Sequence, residues 1–234
     1  MKHTKFILTP ITSILKDAVS ASSSIGTGIE TYPLCDYIMQ SIFLKMTGSQ
    51  EQKFKCICWD IATDDFEYRY RNLLKNGIGE CSNLSDKNKI YKTMVEKSSL
   101  INDQSRKDIL INTKSSLERA IQQTVLEIWL QNDFFCYRRF VSSIHKNHFA
   151  TTKNDLFSAQ NLKDAYITLY DHRNRCAHIL LSYQHNIPTL DTLRSDKNTY
   201  NNYFVQFFVL ILIDNIIIHL YQKCLEKQRD AFAF

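Results

Sequence analysis

Apolar positions recur every three to four residues through most of the chain and nowhere alternate convincingly with polar ones. The pattern predicts a succession of helices. A short one covers Ile11 to Val19, and a flexible stretch from Ser20 to Tyr32 follows, holding SSS and GTG. Pro33 opens a stronger helix on Leu34, Ile38, Ile42 and Met46, with Gly48 as a natural stop. A second then starts at Ser49 or Gln50 and runs to about Lys75 on Phe54, Ile57, Cys58, Ile61, Tyr68 and Leu73, closing at Gly77 and Gly79. The span from Asn83 to Asn112 is polar and weakly periodic, which predicts one helix and a mobile loop. From Ser115 to about His145 the stripe of Leu117, Ile121, Val125, Ile128, Phe135 and Phe140 is the strongest in the chain, with Trp129 on its flank. The polar residues Lys146 to Asp155 end it. A helix over Asn161 to Leu181 and a final one over Asp196 to Lys227 complete the series, with Asn186-Ile187-Pro188 between them. No repeat of roughly 20–50 residues is visible.

The final helix raises a membrane question, because Tyr203 to Tyr221 is almost uniformly apolar and close to the ~20 residues that span a bilayer. Gln206, Asp214, Asn215 and His219 interrupt it, and a central Asp is costly in lipid. Lys223, Glu226 and Lys227 then continue the helical phase. The reading is a buried core helix, with no membrane partner. Composition agrees with the helical picture. Five Gly and three Pro in 234 residues are too few for the tight turns of a many-stranded sandwich or barrel. The expectation is one all-α domain over residues 1–234, an up-and-down bundle. A net charge of +5 is compatible with a polyanionic partner without requiring one. Seven cysteines without framework spacing, and no signal peptide at the N-terminus, point to free thiols in a reducing cytoplasm.

The most informative anomaly lies in Leu169 to His185. On a helical wheel Leu162, Tyr166, Leu169, Cys176 and Leu180 form one stripe, and Arg173 falls in its middle. A charged side chain on a buried face needs a partner or a task. Asn174 and His178 share a face at i and i+4, whereas Arg173 and His178 lie about 140° apart on a continuous helix. They can converge on one phosphate if the arginine stem reaches around, if the helix breaks near Asn174, or if a two-fold mate supplies the facing half. The residue types suit RNA cleavage. A histidine titrating near neutrality can move the proton of the ribose 2′-hydroxyl or of the leaving 5′-oxygen. An arginine fork can hold the scissile phosphate and its developing charge, and Asn174 can orient the imidazole. The same sequence also admits a structural Arg173 that caps carboxylates at a helix interface.

Arg173-Asn174-Arg175-Cys176-Ala177-His178 resembles the signature of the HEPN superfamily, an Arg, a polar residue and a following His on an inner helix of an all-α bundle. The resemblance covers about residues 115–228, a long helix, the motif helix and an apolar final helix, and leaves residues 1–112 as an N-terminal helical elaboration. It implies a cofactor-free, metal-independent endoribonuclease acting as a homodimer with two motif copies in one composite cleft. It further implies a toxin or antiviral effector restrained by an antitoxin or regulatory partner, or a relative that has lost catalysis and serves as a binding module. Arg173, Asn174 and His178 would be catalytic. Arg138, Arg139, Lys146, His172 and Arg175 would contact RNA. Tyr137, Phe149, Tyr170 and Tyr183 interleave these cations and could stack bases or simply fill the core.

Arg138 and Arg139 also have His145 at a similar spacing, although Phe140 follows them, which leaves them as a phosphate-binding candidate. Other clusters point to structure more than to chemistry. Cys56 and Cys58 lack a second pair for zinc, with Cys58 in the core and Cys56 on its flank. His145 and His148 lack a third ligand. Asp60, Asp64, Asp65 and Glu67 read as a solvated face, with a metal-binding carboxylate set as the rival. Ser22 to Gly28 has no P-loop pattern, and no nucleophile elbow occurs.

Overall fold

A computed structural model describes residues 3–26, 28–71, 79–177, 200 and 202–232. The chain is all-α, and no strand occurs among the described residues. The helices are α1 (Thr4–Leu8), α2 (Thr12–Ser22), α3 (Tyr32–Asp64), α4 (Phe66–Tyr68), α5 (Leu84–Ser98), α6 (Asp103–Ile121), α7 (Val125–Trp129), α8 (Gln131–Ser142), α9 (Gln160–Ala177) and α10 (Tyr203–Phe232). Short 3-10 turns sit at Ile29–Thr31 and Lys146–His148, and an isolated antiparallel bridge joins Phe149 to Phe157.

The helix α10 is the axis of the bundle. From Phe204 to Ile213 every side chain is buried, because α1, α3, α5, α6, α8 and α9 all pack on it. A helix enclosed on all sides must be apolar all round, which is why its sequence mimics a membrane span. Its buried carboxylate is paired. Asp214 accepts from Lys53 of α3 at 2.6 Å and from the backbone N–H of Ile11 at 2.9 Å. Burial lowers the lysine and raises the aspartate, and their mutual attraction opposes both shifts.

Three boundaries differ from the sequence expectation. Gly48 does not stop a helix; α3 runs through it for 33 residues, about 50 Å. Gly48 faces solvent, and the buried stripe passes it without a phase change, from Met46 and Thr47 to Gln50, Phe54, Ile57 and Ile61. The helix ends at Asp64, where extended Asp65 accepts the Tyr68 N–H at 2.9 Å and caps the next turn. Residues 83–112 are largely ordered as two helices, capped by Asn83 on the Asp86 N–H (2.8 Å) and Asn102 on the Ser105 N–H (2.7 Å). The stretch from Ser115 to His145 is three helices. Gln123 at φ 62° breaks it once and Leu130 breaks it again, so Ile128 and Phe135 rotate out to solvent while Leu117, Ile121 and Phe140 stay in the core.

Candidate functional site

Arg173 lies on the last turns of α9, where that helix crosses α3. Leu162, Ala165, Tyr166, Leu169 and Cys176 bury the rest of that face, so backbone geometry directs Arg173 at its neighbour helix. There its Nη2 donates to Glu51 Oε2 at 3.0 Å. Its Nη1 donates to Asn174 Oδ1 at 3.2 Å. The Arg173 side chain is 29% exposed and Glu51 12%. Five N–H groups project from a guanidinium, so these two bonds leave donors for an anion at the open edge.

A second cation stands behind the pair. Lys87 of α5 is fully buried, donates to Gln50 Oε1 at 3.1 Å, and rests over the Phe54 ring at 4.5 Å and more distantly over Tyr166. Burial pulls its ammonium down to about 8, while Glu51 holds it up. Gln50 in turn donates to the Leu210 carbonyl at 2.8 Å, anchoring the cluster to α10. Glu51 thus pairs with Arg173 and lends a longer-range attraction to Lys87, which it does not touch.

The other sequence candidates disperse. His172 is wedged between Phe43 (ring centroids 5.0 Å) and Tyr203 (5.3 Å), with Cys176 Sγ 3.5 Å from its Nε2. Burial, aided by Arg175, pushes its imidazole down to about 4, so it stands neutral at physiological pH. Arg175 is exposed. Arg138 stacks on Phe134 at 4.6 Å, and it and Arg139 lie exposed on α8. Among the described residues neither bonds to α9. Lys146 pairs with Asp103 of α6 at 2.8 Å. His178, together with Leu180 and Tyr183, lies outside the described residues. The structure thus brings Arg173 and Asn174 together and adds Glu51, Gln50 and Lys87 to them.

No model of a known family, no curated protein and no solved structure matches the chain.

The acidic set does not form a face. Asp60 is buried, accepting from Tyr221 at 2.9 Å and lying 2.8 Å from His3 Nδ1, while Asp65 caps α4 and pairs with Lys97. Among the described residues no cluster of three His, Cys, Asp or Glu side chains is arranged for a metal. Cys56 is buried with Cys58 instead of flanking the core, and Tyr137 and Phe149 are fully buried core aromatics, unavailable for stacking. His145 and His148 meet edge-to-face at 5.3 Å.

Glu51, Gln50 and Lys87 were absent from the sequence candidates. The signal that singled out Arg173 was present for Lys87 as well, because it shares the stripe of Ile90, Tyr91 and Met94. Glu51 left no comparable trace, since a helix of 33 residues offers many edge positions for a carboxylate.

Proposed function

We propose that the chain is a metal-independent endoribonuclease of HEPN type, acting in the cytoplasm as a homodimer and serving as a toxin or antiviral effector under the control of a partner. The observation that carries this reading is the Arg173–Asn174 pair on α9, packed against the central helix of an all-α bundle, with the guanidinium partly open to solvent. In the reaction Arg173 exchanges part of its bond to Glu51 for the scissile phosphate and stabilises the charge that develops there. His178 moves the proton of the 2′-hydroxyl or of the departing 5′-oxygen, and Asn174 orients it. The attacking group is the RNA's own hydroxyl, so the products end in a 2′,3′-cyclic phosphate.

Cleavage of RNA in EDTA, with cyclic-phosphate ends, is the expected result. Activity that disappears with chelator, or a His178→Ala protein that cuts at the parental rate, refutes the assignment. The Arg173–Glu51 ion pair also favours a second reading, a non-catalytic helical module binding nucleotide, RNA or protein, in which Arg173 is structural. That reading predicts no cleavage at any protein concentration and a marked stability loss in Arg173→Ala.

A further inference from the structure

One and two helical turns beyond Glu51 on the same edge of α3 lie Lys55 and Trp59, at i+4 and i+8. They open onto a cavity of about 360 Å³ that is also lined by Cys58, Thr63, Arg69 and Cys81. That size suits one small organic ligand. Trp59 is 64% exposed, an unusual position for the largest apolar side chain. Arg69 lines the same cavity and lies over the ring of Phe66 at 5.1 Å, and Phe66 is itself 69% exposed. Among the described residues no carboxylate pairs with Arg69. Among the described residues the lining holds two cations, Lys55 and Arg69, and no carboxylate; Glu80, which pairs with Lys55, stands outside it as a highly exposed surface ion pair.

We propose that this cavity binds a nucleobase together with its phosphate. The indole of Trp59 and the guanidinium of Arg69, stacked on Phe66, offer flat π and cationic surfaces to a base, and Lys55 and Arg69 supply the charge for the phosphate. A purely apolar guest would desolvate Arg69, which has no carboxylate partner among the described residues, and that disfavours it. The chemistry can arrive as a free nucleotide or as one unit of a single-stranded RNA. The site lies roughly 12 Å along α3 from the Glu51–Arg173 pair, by eight residues of helical rise, a distance that a dinucleotide spans. Binding here is independent of whether Arg173 takes part in cleavage.

The test is fluorescence titration of the full chain, read from Trp59 in a Trp129→Phe background, with adenosine monophosphate, uridine monophosphate, a short oligouridylate and inorganic phosphate. Saturable quenching by a mononucleotide, with Kd near about 1 mM or tighter, supports the site as one for free nucleotide. Quenching by the oligonucleotide alone supports it with RNA as the source. In either case Arg69→Ala, an exposed position, weakens binding about tenfold while leaving the melting temperature unchanged. Equal quenching by inorganic phosphate overturns the base-binding assignment, and no quenching by any nucleotide overturns the proposal. Saturable quenching in a protein whose RNA cleavage survives His178→Ala is failure of the cleavage reading alone, whereas cleavage lost in that variant with no quenching by any nucleotide is failure of this proposal alone.

Discussion

Replacing Arg173 and Glu51 singly and together measures whether the ion pair at the crossing of α3 and α9 holds the bundle. At 3.0 Å and an effective dielectric near 20 the gross attraction is about 5 kcal/mol, most of it offset by removing both ions from water. Fully exposed pairs give about 0–1 kcal/mol and breaking a buried one costs about 3–5. With 29% and 12% of the two side chains exposed, the pair belongs between these limits. Arg173→Ala leaves Glu51 largely desolvated but still facing Lys87, so a loss of about 2 kcal/mol is expected. Glu51→Gln leaves Arg173 partly hydrated and removes a counter-charge from Lys87, and should cost about 1–2 kcal/mol. The double variant should lose less than the sum, with a coupling of about 1–2 kcal/mol. Urea unfolding at neutral pH and low salt reads all four proteins. Additive losses, with coupling below about 0.3 kcal/mol, would refute the claim that this contact is energetically real. If Arg173 also binds phosphate, Glu51→Gln should raise RNA affinity several-fold at the same time, because it frees the fork.

Gly48→Ala should stabilise the protein by about 0.5–1 kcal/mol, because Gly48 is helical and exposed and no atom lies within 4 Å of the added Cβ; an unchanged or lower urea midpoint contradicts a continuous α3. Lys87→Met should raise stability at pH 7 by about 1 kcal/mol, since the desolvation removed exceeds the bond to Gln50, the two aromatic faces and the attraction of Glu51 together; destabilisation beyond about 1 kcal/mol would show that these contacts outweigh the burial of the charge. For His172, whose pKa drops to about 4 on folding, the unfolded chain binds the extra proton between pH 6.5 and 4. Stability should therefore fall as pH falls through that window, by up to about 3 kcal/mol from this group, and His172→Phe should flatten the profile; parallel pH profiles for the two proteins exclude the buried neutral imidazole. Asn202→Ala should cost about 1–2 kcal/mol, because its side chain accepts from the N–H groups of Phe204 and Val205 and donates to the Asp133 carbonyl; a loss too small to resolve in urea unfolding argues against the cap.

The sequence made the helices legible because most had to keep one stripe against α10 or a neighbouring helix, and that stripe survives in the spacing of apolar residues. It misplaced the boundaries where a local signal competed with a tertiary one. Gly48 carries a stop signal, yet packing on both sides keeps α3 in phase through it. Gln123 carries no stop signal, yet the chain turns there at positive φ and throws Phe135 outward. At the candidate site, Arg173 was visible as a charge on an apolar stripe. Its partner was not, because Glu51 lies 122 residues away and ion pairing between distant helices leaves no periodic trace. Asp60 shows the converse, a carboxylate that belongs by spacing to a solvated acidic run and by packing to the interior.

The central position of α10 has a consequence for biosynthesis. Every helix that packs on it is translated earlier, so α3, α5, α6, α8 and α9 leave the ribosome with their apolar faces uncovered. At roughly 5–20 residues per second, the residues from Tyr32 to Phe232 occupy about 10–40 s of synthesis before the axis can be inserted. A nascent chain in that interval exposes those faces and has no completed bundle. Translation halted short of Tyr203 should leave an aggregation-prone product, so the order of elements along the chain itself delays completion of the bundle until α10 is made.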